Sequence, residues 1–394
     1  MIINADLHIH SPFTKKSDLE NNFAILSKNA RKKGLDVIAT GDCLHPIWLK
    51  SITKLQPLDE GTFFINDTLF LLSSEVQTND NIHHLLYFPD VTSLFDLREH
   101  LRRVDVDFSK GRPTVPLTSE ELADHALDAN VLIGPSHIFD LHTGLYSKYN
   151  SLSECYGSAA NSIQFVELGL GLDSYHADMI KELHHLTFLT NSDTHNPHPI
   201  RLGREFTQFN VKQPKTRYIL DAIKRDGQNK PVLNAGFPPE EGKYFETRCN
   251  KCQKQYTLKQ AKRKHWNCFC GGTIKKGLNE KILEKSTTSH FRYPYHRPLY
   301  LSLLPLHEIL TKALKQKNPF IDTVESYYSK LISIFGNEIH IMLETPIENI
   351  RQTTNPEIAE IIKAFRMATF EYKKGGGGIY GTVQIESIKD EIKF

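Results

Sequence analysis

Residues 4–13 read NADLHIHSPF and alternate an aspartate with two histidines directly after a short apolar start. In an extended strand this alternation places Asp6, His8 and His10 on one face. Two imidazoles side by side at a strand end are unusual in an apolar core, and imidazoles are common ligands of metal ions. The stretch therefore predicts a metal site at the end of the first strand.

Side chains that bind metals also lie near the ends of most other strand-like runs. The further candidates are Asp42, His45, Glu75, His83, His84, His137, Glu167, Asp193 and His195. In a (β/α) barrel the carboxyl ends of the strands meet at one mouth, where active sites are built. A group this large exceeds the ligands of one ion and predicts two or three. Clustered divalent ions lower the pKa of a bridging water, which suits phosphoester hydrolysis.

The elements that must position these residues alternate between strand-like and helix-like patterns. The strand-like runs are residues 2–7, 35–39, 68–73, 84–88, 131–134, 163–168 and 187–190. Amphipathic stretches between them predict an α/β fold with a mostly parallel sheet, either closed as a barrel or open, and seven strands favour a (β/α)7 barrel. We predict this barrel domain at 1–235, a zinc-binding domain at 236–285 and a mainly helical C-terminal domain at 286–394.

Four of the six cysteines form two pairs, Cys249-x-x-Cys252 and Cys268-x-Cys270. Fifteen residues separate the pairs, which is typical of a small zinc ribbon or knuckle. In a chain without a predicted signal peptide, such a quartet indicates a metal rather than disulfides. We therefore predict one structural zinc held by four thiolates, which folds the module and takes no part in catalysis.

The basic residues are unevenly distributed. The net charge is only +2, but residues 243–297 hold fourteen Lys or Arg against three Glu. Basic groups interleaved with aromatic rings are what nucleic-acid binding uses. The predicted DNA-binding residues are Lys262, Arg263, Lys264, Trp266, Arg201 and Arg204. The alternatives are a solvated basic surface, an aromatic core for the zinc module, and ordinary surface positions for the last two arginines.

The motifs resemble those of the PHP (polymerase and histidinol phosphatase) family. Members of that family share a distorted seven-stranded (β/α) barrel with a trinuclear metal centre and act mostly on phosphoesters. The positions that match the family's motifs are His8, His10, Glu75, His84, His137, Ser192, Asp193 and His195. The family's Thr-Asp-His after the second strand, and a further histidine after His-x-His, are absent here. The ligands of the third ion are therefore left open.

The resemblance implies three metal positions that share a catalytic centre. They are held by His8, His10 and Asp193, by Glu75 as a bridge with His84 and His137, and by His195 with one of Asp18, Asp42 and His45. The expected ions are zinc, manganese or magnesium. A metal-activated hydroxide is then expected to attack phosphorus, with His8, His10, Glu75 and Asp193 as the catalytic set. For Glu167, a structural role is an equal alternative.

Over essentially its whole length the chain resembles the endonuclease Q family. The stretches that carry this resemblance are HHLLYFPD, GPSHIFDLHTGLY, ELGLGLDSYHADM and GGGGIYG. It implies a DNA repair endonuclease that hydrolyses the phosphodiester 5′ to uracil, hypoxanthine, xanthine or an abasic site. The main alternative is a small-molecule phosphatase of the histidinol phosphatase type, against which the zinc module and basic segment argue. A non-catalytic nucleic-acid-binding module is disfavoured by the near-complete ligand set.

The expected partner is double- or single-stranded DNA that contains such lesions. The first 30 residues lack an apolar signal-peptide core, and no apolar run approaches the roughly 18 residues of a membrane span. A cytoplasmic protein without membrane contact is therefore expected. A monomer is also expected, and a sliding clamp is a conceivable partner for which no motif is identified.

Overall fold

The computed structural model describes residues 1–18, 21–286 and 293–384, together with a short strand at 392–393. The strands are β1 (Ile2–Asp6), β2 (Val37–Ala39), β3 (Gln56–Pro57), β4 (Thr62–Ile65), β5 (Thr68–Leu71), β6 (Ser73–Gln77), β7 (His83–Tyr87), β8 (Leu132–Pro135), β9 (Phe165–Glu167), β10 (Thr187–Leu189), β11 (Phe206–Asn210), β12 (Lys230–Gly236), β13 (Arg248–Cys249), β14 (Ile274–Lys275), β15 (Leu299–Ser302), β16 (Glu371–Lys373), β17 (Thr382–Gln384) and β18 (Ile392–Lys393).

The helices lie between these strands in the first part of the chain and dominate the last. The α-helices are α1 (Phe23–Lys33), α2 (Pro46–Ile52), α3 (Val91–Arg102), α4 (Ser119–Asp128), α5 (Leu145–Lys148), α6 (Leu152–Tyr156), α7 (Ser174–Ala177), α8 (Thr216–Lys224), α9 (Leu258–Arg263), α10 (Leu278–Lys285), α11 (Leu306–Ala313), α12 (Asp322–Phe335), α13 (Glu338–Leu343), α14 (Ile347–Thr353) and α15 (Pro356–Met367). Short 3-10 helices span Gly157–Ser162, Lys181–Leu183 and Pro239–Glu241. None of the described helices is long and apolar enough to cross a membrane.

The strands form a mixed α/β architecture. One eight-stranded sheet has the order β15-β12-β11-β1-β2-β5-β4-β3, and β6-β7-β8 and β10-β9 form smaller sheets beside it. The pairs β1–β2, β2–β5 and β9–β10 are parallel, whereas β1–β11 and β6–β7–β8 are antiparallel. The predicted α/β class is therefore confirmed. A closed seven-stranded barrel remains a prediction, because the described strands fall into separate sheets.

The alternating pattern of the first strand determines which side chains reach the site. Ile3, Ala5 and Leu7 pack together in one apolar cluster beneath the sheet. Asp6 and His8 are also buried, but they point to the opposite face because successive strand residues alternate. This face is where the other candidate ligands meet.

The predicted helical region after residue 286 is attached to the barrel region by a strand and by buried ion pairs. Strand β15 pairs in parallel with β12 and so continues the large sheet. Arg297 donates through Nε and Nη2 to Asp178, each at 2.9 Å, and its guanidinium lies over the Phe188 ring. Lys33 on α1 donates to Glu338 on α13 at 2.6 Å. Such buried ion pairs hold the later part of the chain in one arrangement against the earlier part, because separating the two partners leaves an uncompensated buried charge. The three domain boundaries remain predictions.

Candidate metal centre and its cavity

Three groups of possible ligand atoms meet at one end of β1, β6 and β7. Within each group the ligand atoms all lie within 4.8 Å of one another. The groups are His8, His10 and Glu75; Glu75, His83 and His137; and His10, Asp193 and His195. Because Glu75 and His10 each belong to two groups, the three groups form a single cluster. We call these seven residues the histidine–carboxylate cluster.

Glu75 occupies the centre of this cluster. Its Oε1 lies 3.0 Å from His83 Nδ1 and 3.2 Å from His137 Nε2. Its Oε2 lies 3.4 Å from His10 Nε2 and accepts a hydrogen bond from Arg112 Nη1 at 2.8 Å. The carboxylate therefore faces imidazoles on two sides, as expected of a group that bridges two metal positions.

Two cluster residues have unusual backbone conformations. Asp193 has a φ of 46° and His137 a φ of 28°, both on the positive side that residues other than glycine seldom adopt. Gly169 packs directly against His137, where a Cβ would come within 2.6 Å of the His137 Cβ. Such conformations persist only where the surroundings enforce them, and they are concentrated at functional sites. Here they direct Asp193 Oδ1 to within 3.1 Å of His10 Nε2.

Buried carboxylates behind the cluster orient its first two histidines. Both Glu167 oxygens lie 3.0 Å from His8 Nδ1, and the same carboxylate accepts from Asn191. Asp42 lies 3.2 Å from His10 Nδ1 and accepts a hydrogen bond from Ser11. A carboxylate on one ring nitrogen fixes the tautomer and leaves the other nitrogen for a metal. Nε2 of both histidines therefore faces the centre of the cluster.

The charges of the cluster shift its pKa values strongly. Burial lowers the pKa of His8, but three carboxylates around it, Glu167 first, outweigh burial and raise that pKa well above its usual range. Burial raises the pKa of Glu75, but His83 and His8 outweigh it and hold that pKa well below its usual range. His8 therefore favours its protonated form beside ionised carboxylates, whereas burial lowers the pKa of His83 and lowers that of His195 to about 4. Metal cations satisfy the same demand when they replace the protons.

The donor set fits divalent metal ions. His8 Nε2 is buried and has no hydrogen-bond partner within the described part of the chain, although it lies 3.4 Å from Asp193 Oδ1 and 3.7 Å from Glu75 Oε1. Converging imidazole nitrogens and carboxylate oxygens, one of them a buried nitrogen without a partner, are what zinc and similar ions use. The seven side chains of the cluster are accordingly candidate ligands of divalent metal ions.

His84, which the sequence predicts as a ligand, lies outside the grouped ligand atoms of the described residues, whereas its neighbour His83 belongs to one of the groups. His84 is fully buried, and its Nδ1 lies 2.8 Å from the Tyr156 hydroxyl while its Nε2 lies 3.1 Å from Ser119 Oγ. Adjacent strand residues point to opposite faces, so His83 and His84 cannot both reach the cluster. Burial lowers the pKa of His84 to about 3, which indicates a neutral structural imidazole.

The three alternatives for the third metal position also lie outside the grouped ligand atoms. Asp42 supports His10 from behind, as described above. His45 caps α2 and stacks on Phe13 with 3.9 Å between ring centroids. Asp18 accepts from Asn196 and lines a small cavity beside His195. Their places in the third group are taken by His10 and Asp193, because the loop after β10 folds back over the end of β1.

Three arginines lie near the cluster, and the predicted DNA-binding roles of Arg201 and Arg204 remain predictions. Arg204 donates from Nε and Nη2 to the Ser192 carbonyl, so it holds the loop that carries Asp193 rather than a free phosphate position. Arg201 is exposed and lines cavities on that side of the cluster. Arg112, which the sequence analysis missed, is the arginine that contacts Glu75. It comes from a loop with no periodic pattern or motif, so only the folded structure identifies it.

The four cysteines converge as their spacing predicts. Their sulfur atoms lie within 4.8 Å of one another, with Cys249–Cys270 and Cys252–Cys268 pairs at 3.5 Å. A hydrogen bond with the Tyr256 hydroxyl at 2.9 Å lowers the pKa of Cys268 to about 6. Four sulfur atoms this close together fit one tetrahedral zinc ion.

The basic and aromatic residues of this zinc module divide between its surface and its core. Trp266 is half-buried and packs against the small apolar core around Cys249, and its DNA-binding role remains a prediction. Lys262 and Arg263 are exposed, and Lys262 lies 3.4 Å from Glu284. Phe269, between the last two cysteines, is 85% exposed, and Lys264 Nζ lies 3.3 Å from its ring centroid. Phe269 is therefore the aromatic side chain that the module presents to solvent.

A cavity of about 450 Å³ opens directly onto the cluster, and we call it the cluster cavity. Its walls include His83, Arg112, His137 and Asp193. Further lining residues come from the first part of the chain and from two later segments, and they include Phe139, Leu170, Lys243, Tyr244 and Tyr380. The cavity therefore joins the metal ligands to the parts of the chain beyond the predicted barrel domain.

Known proteins similar to this chain include both sequence relatives and solved structures. The family described as MJ0043 C-terminal domain matches residues 305–369. The uncharacterized protein MJ0043 of Methanocaldococcus jannaschii is 38% identical over 63% of this chain, but the match spans only 31% of that longer protein. The uncharacterized protein YqxK of Bacillus subtilis is 28% identical over 97% of this chain and 99% of its own length.

The structural similarity extends over the whole chain. The lesion-specific endonuclease PfuEndoQ of Pyrococcus furiosus matches with a TM-score of 0.94 and 41% identity, over 98% of this chain and 96% of its own. A second structure is endonuclease Q in complex with a 27-mer duplex that has an abasic lesion at the active site. It matches with a TM-score of 0.90 and 41% identity, over 100% and 99% of the two chains. The chain therefore belongs to the endonuclease Q family, as its motifs predicted.

Proposed function

We propose that this chain is a DNA repair endonuclease that hydrolyses the phosphodiester 5′ to a deaminated base (uracil, hypoxanthine or xanthine) or an abasic site. The observation that carries the proposal is the histidine–carboxylate cluster, which opens onto a cavity bounded by other parts of the chain. The full-length similarity to lesion-specific endonuclease Q supports the substrate class.

Two or three divalent ions, of zinc, manganese or magnesium, would be held by the cluster, and one structural zinc by the four cysteines. When bound, clustered ions of this kind lower the pKa of water and stabilise the attacking and leaving oxygens of an in-line displacement. Glu167 and Asp42 keep the ligand nitrogens of His8 and His10 directed at the centre. The protein itself therefore needs no nucleophilic side chain.

Arg112 is the residue suited to contact the scissile phosphate. It lines the cluster cavity and donates one hydrogen bond to Glu75, which leaves further guanidinium donors for a phosphate oxygen. Arg112 also lies close to the candidate metal ligands, so its positive charge offsets the negative charge of a phosphate that enters the cavity. A phosphate at this position would lie between Arg112 and the metal-binding atoms.

The cavity supplies a means of selecting damaged nucleotides. Its volume of about 450 Å³ is in the usual range for a small ligand, and Tyr244 and Tyr380 offer rings beside it. A deaminated base mispairs, and an abasic site has no pair, so extruding either from the duplex costs less than extruding a normal nucleotide. Under this proposal we also expect a closed barrel, three domains, a monomeric state and a sliding-clamp partner.

The proposal is tested with labelled duplexes that each carry one uracil, hypoxanthine or abasic site, and with an undamaged duplex as control. Purified protein with Mn²⁺ or Mg²⁺ should nick 5′ to the lesion, and chelation should stop it. Hydrolysis of histidinol phosphate with intact DNA would instead identify a small-molecule phosphatase. Lesion binding without cleavage at any metal concentration would identify a binding module.

A further inference from the structure

A second cavity of about 700 Å³ lies beside the cluster cavity. The two cavities share Leu170, Gly242 and Tyr380 as walls. The second cavity also shares Arg201 and Arg204 with the small cavity that contains Asp193 and His195. It therefore adjoins the candidate metal centre, yet none of the cluster residues lines it.

A buried carboxyl group lines this second cavity. Glu241 is only 5% exposed, and its Oε1 has no hydrogen-bond partner among the residues that the structure describes. Burial raises its pKa to about 9, so near neutral pH it is a carboxylic acid with one donor and one acceptor. Thr311 and Lys312 on α11 and the Phe237 ring line the same cavity. A ligand that enters the cavity would supply the partner that this buried oxygen lacks.

Tyr380 separates the two cavities and is held there by its backbone. The amides of Gly375 and Gly381 donate to the carbonyls of Glu240 and Glu241 at 2.7 and 2.9 Å. A Cβ on Gly381 would lie only 2.5 Å from the Glu240 carbonyl oxygen, so this approach requires glycine. The Tyr380 ring remains 56% exposed and can stack on a planar group in either cavity.

We propose that the second cavity is a nucleobase-binding site distinct from the lesion position, in which Glu241 contacts the edge of an undamaged base and Tyr380 stacks on it. The proposal rests on the function proposed above. A neutral carboxyl group matches the adjacent donor and acceptor on the Watson–Crick edge of adenine. The base comes either from the position opposite the lesion, which loses its partner when the lesion is extruded, or from a position flanking the lesion on the cleaved strand.

The test is a double-mutant cycle between the protein and the DNA. Each duplex contains one tetrahydrofuran abasic analogue as the lesion. At one test position, either opposite the lesion or flanking it, the duplex carries adenine or purine, which lacks the exocyclic amine. Dissociation constants are measured in the Asp193→Asn background, which prevents cleavage, with and without Glu241→Leu. Glu241→Gln, which keeps a donor and an acceptor, is the matched control, and Glu241→Met replaces the leucine variant if that one does not fold.

Removing the amine should weaken binding roughly 3- to 10-fold at one position, as expected for one hydrogen bond. Glu241→Leu should abolish that difference, and Glu241→Gln should retain it. The position at which the effect of removing the amine depends on Glu241, opposite the lesion or flanking it, identifies which base is bound. Preference for the lesion duplex without coupling at any position overturns this inference alone. Equal affinity for lesion and undamaged duplexes would instead refute the proposed function.

Discussion

The cysteine cluster and the histidine–carboxylate cluster are both groups of metal-ligand side chains, but they are assembled in different ways. The four cysteines lie between Cys249 and Cys270, and a hairpin and one helical turn bring them together. The seven residues of the other cluster extend from His8 to His195 and arrive on separate strands and loops. One site is local in the chain, whereas the other requires the chain from His8 to His195 to fold.

This difference explains why the two sites could be predicted to different degrees. A local site depends on spacing, which the sequence displays directly. A dispersed site depends also on which face each strand turns to the centre, and a choice between neighbours such as His83 and His84 is decided by packing. The difference also suggests that the two sites fail independently when they are altered.

The largest effect is expected from Asp193→Asn. This change removes an anionic ligand held at a strained φ of 46°, and metal stabilisation of this reaction is worth several kcal/mol. Single-turnover nicking of a lesion duplex should therefore fall by about 10³-fold or more. Binding of the same duplex should remain, since the cavity walls are unchanged. Loss of both activities would contradict a role confined to the metal centre.

The pair His83→Ala and His84→Ala tests the corrected ligand. His83→Ala should lower the metal content of the barrel region and the nicking rate together, because His83 Nδ1 lies 3.0 Å from Glu75. His84→Ala should leave the metal content intact and destabilise the fold by about 1–3 kcal/mol, because buried partners such as Tyr156 lose a hydrogen bond. Elemental analysis and thermal unfolding distinguish the two, and the reverse pattern would restore His84 as the ligand.

Glu167→Gln is expected to have an intermediate effect. An amide cannot stabilise the His8 ring as the carboxylate does, and loss of such a supporting group commonly costs 10- to 100-fold in metal affinity or activity. Titration of nicking with Mn²⁺ should show a higher half-saturating concentration. Recovery of the rate at high Mn²⁺ would identify a positioning role, whereas an unchanged curve would argue against one.

The smallest effect on chemistry is expected from Cys252→Ser. One zinc ion per chain should be lost, and DNA affinity should fall roughly tenfold as the zinc module loosens. Nicking at saturating DNA should remain within a few-fold of the unaltered protein, because the histidine–carboxylate cluster is separate. A fall in nicking as large as that of Asp193→Asn would show that the two sites are coupled.

A finer comparison within the zinc module contrasts two aromatic rings. Phe269→Ala removes an exposed ring and should weaken DNA binding, since stacking on a base is worth about 1–3 kcal/mol, without lowering the unfolding temperature. Trp266→Ala should lower the unfolding temperature first, because that ring packs on the module's core. Anisotropy titrations and calorimetry measure the two effects.

Much of the fold could be predicted from the pattern of the sequence. The predicted strand at residues 2–7 is β1, and the run at 187–190 is β10. The run at 68–73 divides into β5 and the start of β6, because the two strands pair in different sheets. Strands β11, β12 and β15 were not predicted. Their side chains alternate less clearly, and they are stabilised as strands by pairing with distant segments.

The sequence alone determined the chemistry available to this protein: alternating Asp6, His8 and His10, a closing Ser-Asp-x-His motif, and a cysteine quartet with zinc-like spacing. Residue type and short-range periodicity carry that information because they do not depend on distant contacts. Only the tertiary structure selected His83 over His84, turned Asp42 into a support for His10, and brought Arg112 to Glu75. These choices depend on which face of a strand or loop is buried, and burial is a property of the whole packed chain.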